Sequence, residues 1–241
     1  MEMTLQELQY QERCNTGSSW TRNIPFEKNG YLICPKLWDP EELACPVPEI
    51  TGQLNYAGKN PNQFRHDPVE QQVEGSTARY WHPQYRQIHS GIRLKLEGII
   101  GRKLYNTYYY DRFYYAGQEL GKHADRAACE ISVSVHIGTN LPKPYCDWPF
   151  KIKTPDTYTD KTKREIVSYG VEHSLVLRPG DGLLYKGCER PHWRDPLEVP
   201  RRRKRDILLR KPEPRWYYHQ IFFHYVLADG DRAFYAWDKG R

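Results

Sequence analysis

His123-Ala124-Asp125 and the distant His192 are the residues of this chain whose types and spacing suit metal chemistry. Two imidazoles and one carboxylate can grip one face of an Fe(II) ion and leave the opposite positions open to a co-substrate and O₂. A His and an Asp two apart on one strand point to the same side, so both can reach one ion. The third ligand must come from a facing strand late in the chain, which is where His192 lies. Convergence of the three would make this a non-haem iron oxygenase, with His123, Asp125 and His192 as metal ligands and catalytic centre. The pair alone carries little weight, because nine His and 13 Asp in 241 residues give about half an H-x-D match by chance.

The elements around these residues must therefore carry the argument. Pro83 opens a helix over 83–100, with Tyr85, Ile88, Ile92, Leu96 and Ile100 recurring at three and four residues. Arg86, Arg93 and Glu97 lie off that stripe, and the helix is expected to pack on a sheet with no chemistry of its own. From residue 104 the period changes to two. Leu104–Tyr115 alternates Tyr with polar residues, and Ile131, Val133, Val135 and Ile137 alternate with Ser132, Ser134 and His136. Further strands are expected at 149–153, 173–178, 182–186, 190–194 and 215–227. Pro179-Gly180-Asp181-Gly182 reads as a tight turn between two of them. Earlier, Tyr31–Cys34 reads as a strand leading to a short helix capped by Asp39 with Pro40 in its first turn. Residues 51–80, rich in Gly, Asn, Pro and Gln, read as a long ordered loop. A helical layer followed by about eight short strands suggests a mainly β fold with flanking helices, a jelly roll or related cupin-like double-stranded β-helix. The expected organisation is one domain over 1–241. It comprises an N-terminal α/β support layer at 1–103, a β-helix core at 104–228 and a basic insertion at 195–215.

Composition sets limits. Aromatic residues make up 14% of the chain, with 19 Tyr, which argues against disorder and for a core and pocket built with tyrosine. The formal charge of +6 permits an acidic partner without requiring nucleic acid. No run approaches eighteen apolar residues, so no membrane span is expected. Met1-Glu2-Met3-Thr4 is followed by polar residues, and the six Cys contain no C-x-x-C pair. Neither a secretory signal, a disulfide framework nor a zinc ribbon is expected, and reduced thiols in the cytoplasm are the default.

With those elements in place, Tyr114-Tyr115-Ala116-Gly117 followed by His123-Ala124-Asp125 resembles the Y-x-x-G…H-x-D stretch of the Fe(II)/2-oxoglutarate-dependent dioxygenases, prolyl 4-hydroxylase-like branch. Arg178-Pro179-Gly180-Asp181-Gly182-Leu183-Leu184-Tyr185 is similar to their R-P-G-D-A-L-x-F strand–turn–strand, with His192 beyond it at the expected offset. Phe26–Ile33 is similar to an F-x-x-x-G-Y-L-I segment near the family's N-terminal end. The resemblance implies Fe(II), 2-oxoglutarate and O₂ at His123, Asp125 and His192, with ascorbate as a reductant. It also implies hydroxylation of an unactivated C–H bond, coupled to decarboxylation of 2-oxoglutarate to succinate and CO₂. The substrate it suggests is a peptide or protein side chain such as proline, with a small molecule as the other option. A carboxylate at Asp125 argues against halogenation, for which family members lack it.

In this family the far carboxylate of 2-oxoglutarate is held by an Arg or Lys roughly ten positions after the distal histidine, and Arg is favoured for its bidentate fork. Arg201 and Arg202 fall there, yet Pro200–Arg205 reads as an exposed loop. Arg194 shares the strand face of His192 and is preferred, with Arg215 as second choice; pairing of Arg194 with Asp195 or Asp181 is the structural alternative. Tyr108 and Tyr114 are candidate co-substrate contacts and Tyr110 a substrate contact, against simple core packing. The run Arg201–Arg205, extended by Arg210, Lys211 and Arg215, reads as a solvated loop or as a lid docking an acidic substrate through Arg201 and Arg202. His136, His219 and His224 read as structural. A nucleobase-oxidising relative and a non-catalytic jelly-roll binding module are the rival functions, and nucleic-acid binding is not indicated by any base-reading motif.

Overall fold

The alternating segments form two facing sheets in a computed structural model that describes residues 24–159, 162–163, 165–210 and 212–238. The expected absence of a signal at Met1–Thr4, Cys14 and Lys211 lie outside the described residues. The elements in chain order are α1 (Ile24–Asn29), β1 (Tyr31–Cys34), α2 (Pro40–Leu43), β2 (Gly52–Tyr56), β3 (Phe64–Asp67) and β4 (Thr77–Tyr80). A 3₁₀ turn at Pro83–Tyr85 then leads into α3 (Arg86–Ile100). They continue with β5 (Leu104–Tyr115), β6 (Leu120–His123), β7 (Ile131–Thr139), β8 (Phe150–Lys153), β9 (Thr157–Tyr158), β10 (Ile166–Ser168) and β11 (Glu172–Leu175). Last come β12 (Gly182–Tyr185), β13 (His192–Arg194), α4 (Lys204–Leu208) and β14 (Tyr217–Leu227).

The major sheet has eight strands in the order β1-β12-β7-β14-β5-β4-β2-β3, and the minor sheet four in the order β11-β8-β13-β6. This is a double-stranded β-helix. Period-two alternation sorts the major sheet into two faces. Val133, Val135, Leu184, Ile221, Phe223 and Tyr225 pack with Ile92, Leu96 and Ile99 of α3 on one face. The cross-strand pairs Ser132–His224, Ser134–Phe222 and His136–Gln220 place the opposite, polar phase toward the minor sheet. The pairs Tyr114–Tyr218, Arg112–Gln220 and Tyr110–Phe222 continue that inner face. His219 and His224, on opposite phases of β14, accordingly point to opposite sides.

Asp39 caps α2 by accepting from the Glu41 N–H, with Pro40 in the first turn as the sequence suggests. The stretch 51–80 departs from its reading as a loop. It supplies β2, β3 and β4, with β2 parallel to β4 and β4 antiparallel to β5. Its strands are four or five residues long between Gly, Asn and Pro punctuation, too short to print an alternation. Their stability comes from edge pairing on β5 and from burial of Leu54, Ala78 and Tyr80. The turn at Arg178–Gly182 does not make a hairpin. It carries the chain from β11 in the minor sheet to β12 in the major one, with Gly180 at φ 88, a value that disfavours any side chain. Its Asp181 accepts from the backbone N–H groups of Lys36 and Arg178. The basic run is partly helical, forming α4, where an exposed loop is expected. The five described cysteines are free thiols. Among the described residues no helix is long and apolar enough to cross a membrane.

Candidate metal centre and its surroundings

β6 ends at His123 and β13 begins at His192, and the two residues are register partners in the minor sheet. Their ring centroids are 4.4 Å apart. Asp125 lies just past β6, where its N–H donates to the Gly187 carbonyl at 2.9 Å. That bond turns the carboxylate toward the imidazoles, and each histidine Nε2 is 3.5 Å from Asp125 Oδ1. One ligand atom from each of the three residues lies within 4.8 Å of the other two.

The hydrogen bonds behind these atoms fix which lone pairs face inward. His123 Nδ1 donates to the Gly121 carbonyl at 2.7 Å and His192 Nδ1 to the Arg190 carbonyl at 2.9 Å. In the neutral rings these bonds place the protons on Nδ1 and turn both Nε2 lone pairs inward, the tautomer that a metal requires. Ser132 Oγ donates to Asp125 Oδ2 at 3.0 Å, which leaves Oδ1 to face the histidines. Gly187 makes this approach possible, since a Cβ there would stand 2.5 Å from Asp125 Oδ2 and 2.2 Å from the Cys129 carbonyl. Burial opposes charge on Asp125, but the adjoining His192 and His123 outweigh it and hold the carboxyl well below its usual range. Burial likewise opposes a proton on His123, yet the contacts with Asp125 and the Gly121 carbonyl raise its pKa. The Gln72 amide nitrogen sits 3.2 Å from His123 Nε2, placing a hydrogen-bond donor on a lone pair that an ion would take. The donor set, the tautomers and the surrounding charge all fit a divalent cation.

Farther along the inner face is a second electropositive point. Arg194 is 1% exposed, and its Nη1 donates to the Trp148 carbonyl at 2.6 Å. Its guanidinium lies against the rings of Trp148, Phe150 and Tyr218 at 4.5, 5.2 and 4.9 Å. Arg194 Nε and Nη2, the Tyr218 hydroxyl and His136 Nε2 are buried without a hydrogen-bond partner. Neither structural alternative for Arg194 holds, because Asp195 pairs with Lys151 and Asp181 stabilises its own turn. The other inward guanidinium, Arg112, is neutralised by Glu70 at 2.9 Å and also donates to Gln72 Oε1 at 2.8 Å. Arg194 is thus a buried cation with spare donors and, among the described residues, no carboxylate partner.

The other expected site residues fall in different places. Tyr114 is buried on the inner face, edge-on to Trp148 with centroids 5.1 Å apart, and so lies in the Arg194 neighbourhood. Tyr110 lies between the two regions, its hydroxyl 3.5 Å from Gln72 Oε1. Tyr108 is at the far end, with its hydroxyl 3.2 Å from Cys129 Sγ and its ring 4.6 Å from that of His224. Arg215 does not enter the barrel: it is exposed, donates to the Pro48 carbonyl at 2.7 Å and stacks on Tyr115. The last strand, expected from 215, begins at Tyr217, and Arg215 sits in the turn before it, where the Trp216 N–H donates to the Pro214 carbonyl. Arg201 and Arg202 are exposed. Ser132, Gln72, Tyr218 and Gly187 have no site role in the sequence reading. Ser132 and Tyr218 lie on the inner phase of their strands, whereas Gln72 and Gly187 come from segments without a period.

Two other groups bring three potential ligand atoms together, Cys45–Asp111–His219 and Asp125–Cys129–His224. In the first, the Arg79 guanidinium already occupies Asp111 through Nε and Nη2, so its charge is balanced internally. The second shares Asp125 with the triad, and its His224 Nδ1 lies 2.9 Å from Ser132 Oγ.

A double-stranded β-helix that brings two imidazoles and a carboxylate to one point between its sheets has the donor set of the mononuclear facial-triad metal proteins. No known family model matches the chain, and no curated protein matches its sequence. Solved structures do share its fold. One is a prolyl hydroxylase from Trichoplax adhaerens in complex with a hypoxia inducible factor oxygen degradation domain peptide fragment, at 12% identity over 97% of both chains with a TM-score of 0.50. Another is the non-heme alpha ketoglutarate dependent epimerase SnoN from nogalamycin biosynthesis, at 11% identity over 84% of this chain and 80% of that one, again with a TM-score of 0.50. At these identities the likeness is one of fold.

Proposed function

We propose that the protein is an Fe(II)- and 2-oxoglutarate-dependent dioxygenase that hydroxylates an unactivated C–H bond. The observation that carries this reading is the convergence of His123 Nε2, His192 Nε2 and Asp125 Oδ1, with both Nδ1 atoms committed to backbone carbonyls. In this reading His123, Asp125 and His192 hold the metal. Arg194, with Tyr218 and Tyr114 beside it, binds the far carboxylate of 2-oxoglutarate. The bound iron and co-substrate supply oxidative decarboxylation to succinate and CO₂ coupled to substrate oxidation. The protein's own contributions are orientation and shielding. Ser132 directs Asp125, the aromatic rings around Arg194 exclude water from the carboxylate site, and Gln72 yields the His123 lone pair when metal enters. The motif order resembles the prolyl 4-hydroxylase-like branch, whose substrates are peptidyl, while the cavity lined by Arg126 favours a small aromatic acid over a peptide docked near Arg201 and Arg202.

Purified protein supplied with Fe(II), ascorbate and 2-oxoglutarate is expected to form succinate, and Asp125→Ala to abolish it. Wild-type protein that neither binds iron nor consumes 2-oxoglutarate would defeat the reading.

A further inference from the structure

The residue after Asp125 belongs to a cavity of about 390 Å³ that the proposed chemistry leaves unassigned. Tyr80, Trp81 and Tyr108 supply aromatic walls, and Arg86, Arg126 and Asp238 supply charge. This volume lies in the range of small-molecule sites. The cavity reaches the candidate metal centre through the rings of Tyr108 and His224 and the Ser132 hydroxyl. Tyr108 lines it, and the same ring lies 4.6 Å from His224, whose Nδ1 is 2.9 Å from the Ser132 hydroxyl that holds Asp125.

The walls favour a flat guest. The rings of Tyr80, Tyr108 and Tyr110 lie nearly parallel in a row along one face of β4 and β5, Tyr80 and Tyr108 16° apart and Tyr108 and Tyr110 11° apart, and present a flat aromatic wall. The Arg126 guanidinium continues the stack, 4.5 Å from the Tyr108 centroid. The walls are also rich in donors. Arg126 Nε and Asn55 Nδ2 are buried without an acceptor, while Arg86 spends one donor on the Gly58 carbonyl at 2.5 Å. Asp238 is the one carboxylate among the described lining residues, and it is paired with Arg126. It comes from the last described residues of the chain, beyond the final strand and a 3₁₀ turn at Ala233–Tyr235, and not from the barrel. An internal carboxylate thus sits on the arginine that follows a proposed metal ligand, in a cavity with aromatic walls.

We propose that this cavity binds the substrate of the metal centre, that the substrate is a planar aromatic molecule bearing a carboxylate, and that Asp238 fills the carboxylate's place on Arg126 until the substrate arrives. The proposal rests on the dioxygenase reading for the word substrate, but the binding itself does not require metal. Arg126 anchors the guest, and its aromatic part lies against the Tyr80, Trp81 and Tyr108 walls of the cavity. A ligand competing with an internal group binds with its affinity reduced by the fraction of sites already taken. Removing the Asp238 charge should therefore tighten binding about five- to tenfold if Asp238 occupies Arg126 roughly 80–90% of the time.

The test uses the full chain and 2-naphthoate as the probe, with 2-naphthamide as its neutral counterpart and 2-naphthyl phosphate as the alternative anion. Calorimetric titration of metal-free protein is expected to give saturable binding of naphthoate. Affinity should rise about five- to tenfold in Asp238→Asn and be lost in Arg126→Gln, and the amide should bind weakly in both the wild type and Asp238→Asn. Naphthoate affinity unchanged or reduced in Asp238→Asn, amide binding as tight as naphthoate, or tighter binding of the phosphate would each overturn the proposal. Circular dichroism and melting of both variants show that they are folded. Position is read separately by NMR: Mn(II) should broaden the resonances of bound naphthoate where Zn(II) does not, and Asp125→Ala should remove the effect. Mn(II) that binds without broadening the probe overturns the assignment to the metal centre. Carboxylate binding by a protein that takes up no metal overturns the dioxygenase reading instead, so the two failures are distinguishable.

Discussion

Replacing Arg194 with Met separates function from stability at one position. In the wild type the guanidinium is buried with one hydrogen bond, three ring contacts and two nitrogens without partners. Each unsatisfied buried donor costs about 1–3 kcal/mol. The ring contacts return about 0.5–1 kcal/mol each, and the bond to the Trp148 carbonyl about 1.5–3 kcal/mol. These contributions nearly cancel, and Met fills similar volume without a charge. The melting temperature of ligand-free Arg194→Met should therefore stay within a few degrees of wild type, at about 2–4 °C per kcal/mol for a chain of this size. Co-substrate binding should not survive so well. Losing one partner of a buried, hydrogen-bonded charge pair costs about 2–5 kcal/mol, which is about thirtyfold to several thousandfold in affinity. Arg112→Met is the contrasting control. It strands the buried Glu70 carboxylate, at about 3–5 kcal/mol, and should lower the melting temperature by about 6–20 °C. Anaerobic calorimetric titration of 2-oxoglutarate into the Mn(II)-loaded protein and differential scanning calorimetry read the two quantities. The reasoning fails if Arg194→Met binds 2-oxoglutarate as wild type does, or if it melts as early as Arg112→Met.

Three further outcomes are expected. Ser132→Ala, which removes the hydroxyl donating to Asp125 Oδ2, should weaken Mn(II) binding about 10–100-fold as judged by EPR titration, since groups that orient ligands carry that much affinity. Burial pushes the pKa values of His82, His89 and His136 down to about 4, 3 and 4. The unfolded chain therefore binds more protons than the folded one as pH falls from 6.5 to about 4. Stability should fall across that window, with a slope approaching about 4 kcal/mol per pH unit when all three differ fully, and more gently from about 4 to about 3, where only His89 still differs. Urea unfolding midpoints from pH 7 to 4 measure this, and a flat profile would contradict the neutral, buried assignment. Neutralising Arg201 and Arg202 together should raise the substrate KM and leave uncoupled 2-oxoglutarate turnover intact if the exposed run docks an acidic substrate; an unchanged KM removes it from the binding surface.

Much of the architecture was legible because burial imposes a period. The helix stripe at Ile88, Ile92 and Leu96 and the alternation at 131–137 each print one buried face on the sequence, and both faces are buried as that pattern requires. The same alternation put His136 on the polar phase of β7 and Arg194 on the phase of His192. The three short strands in 52–80 left no such print, because four or five residues hold too little alternation and their pairing partners are distant or parallel. Arg215 shows how a residue type can mislead when its place is ignored: its charge suits a carboxylate, but it precedes β14 in an exposed turn and lies on Tyr115.

Sequence alone set the ligand types, the strongly periodic elements and, within them, the side of the sheet on which each residue stands, since these follow from local geometry and periodicity. Tertiary structure decided what meets across the barrel. It made His123 and His192 register partners, turned Asp125 onto them through the Gly187 carbonyl, gave Arg112 a carboxylate and left Arg194 without one, and brought Asp238 from beyond the last strand to Arg126. Those relations depend on contacts between residues that are tens to more than a hundred positions apart, and no local pattern in a single chain encodes them.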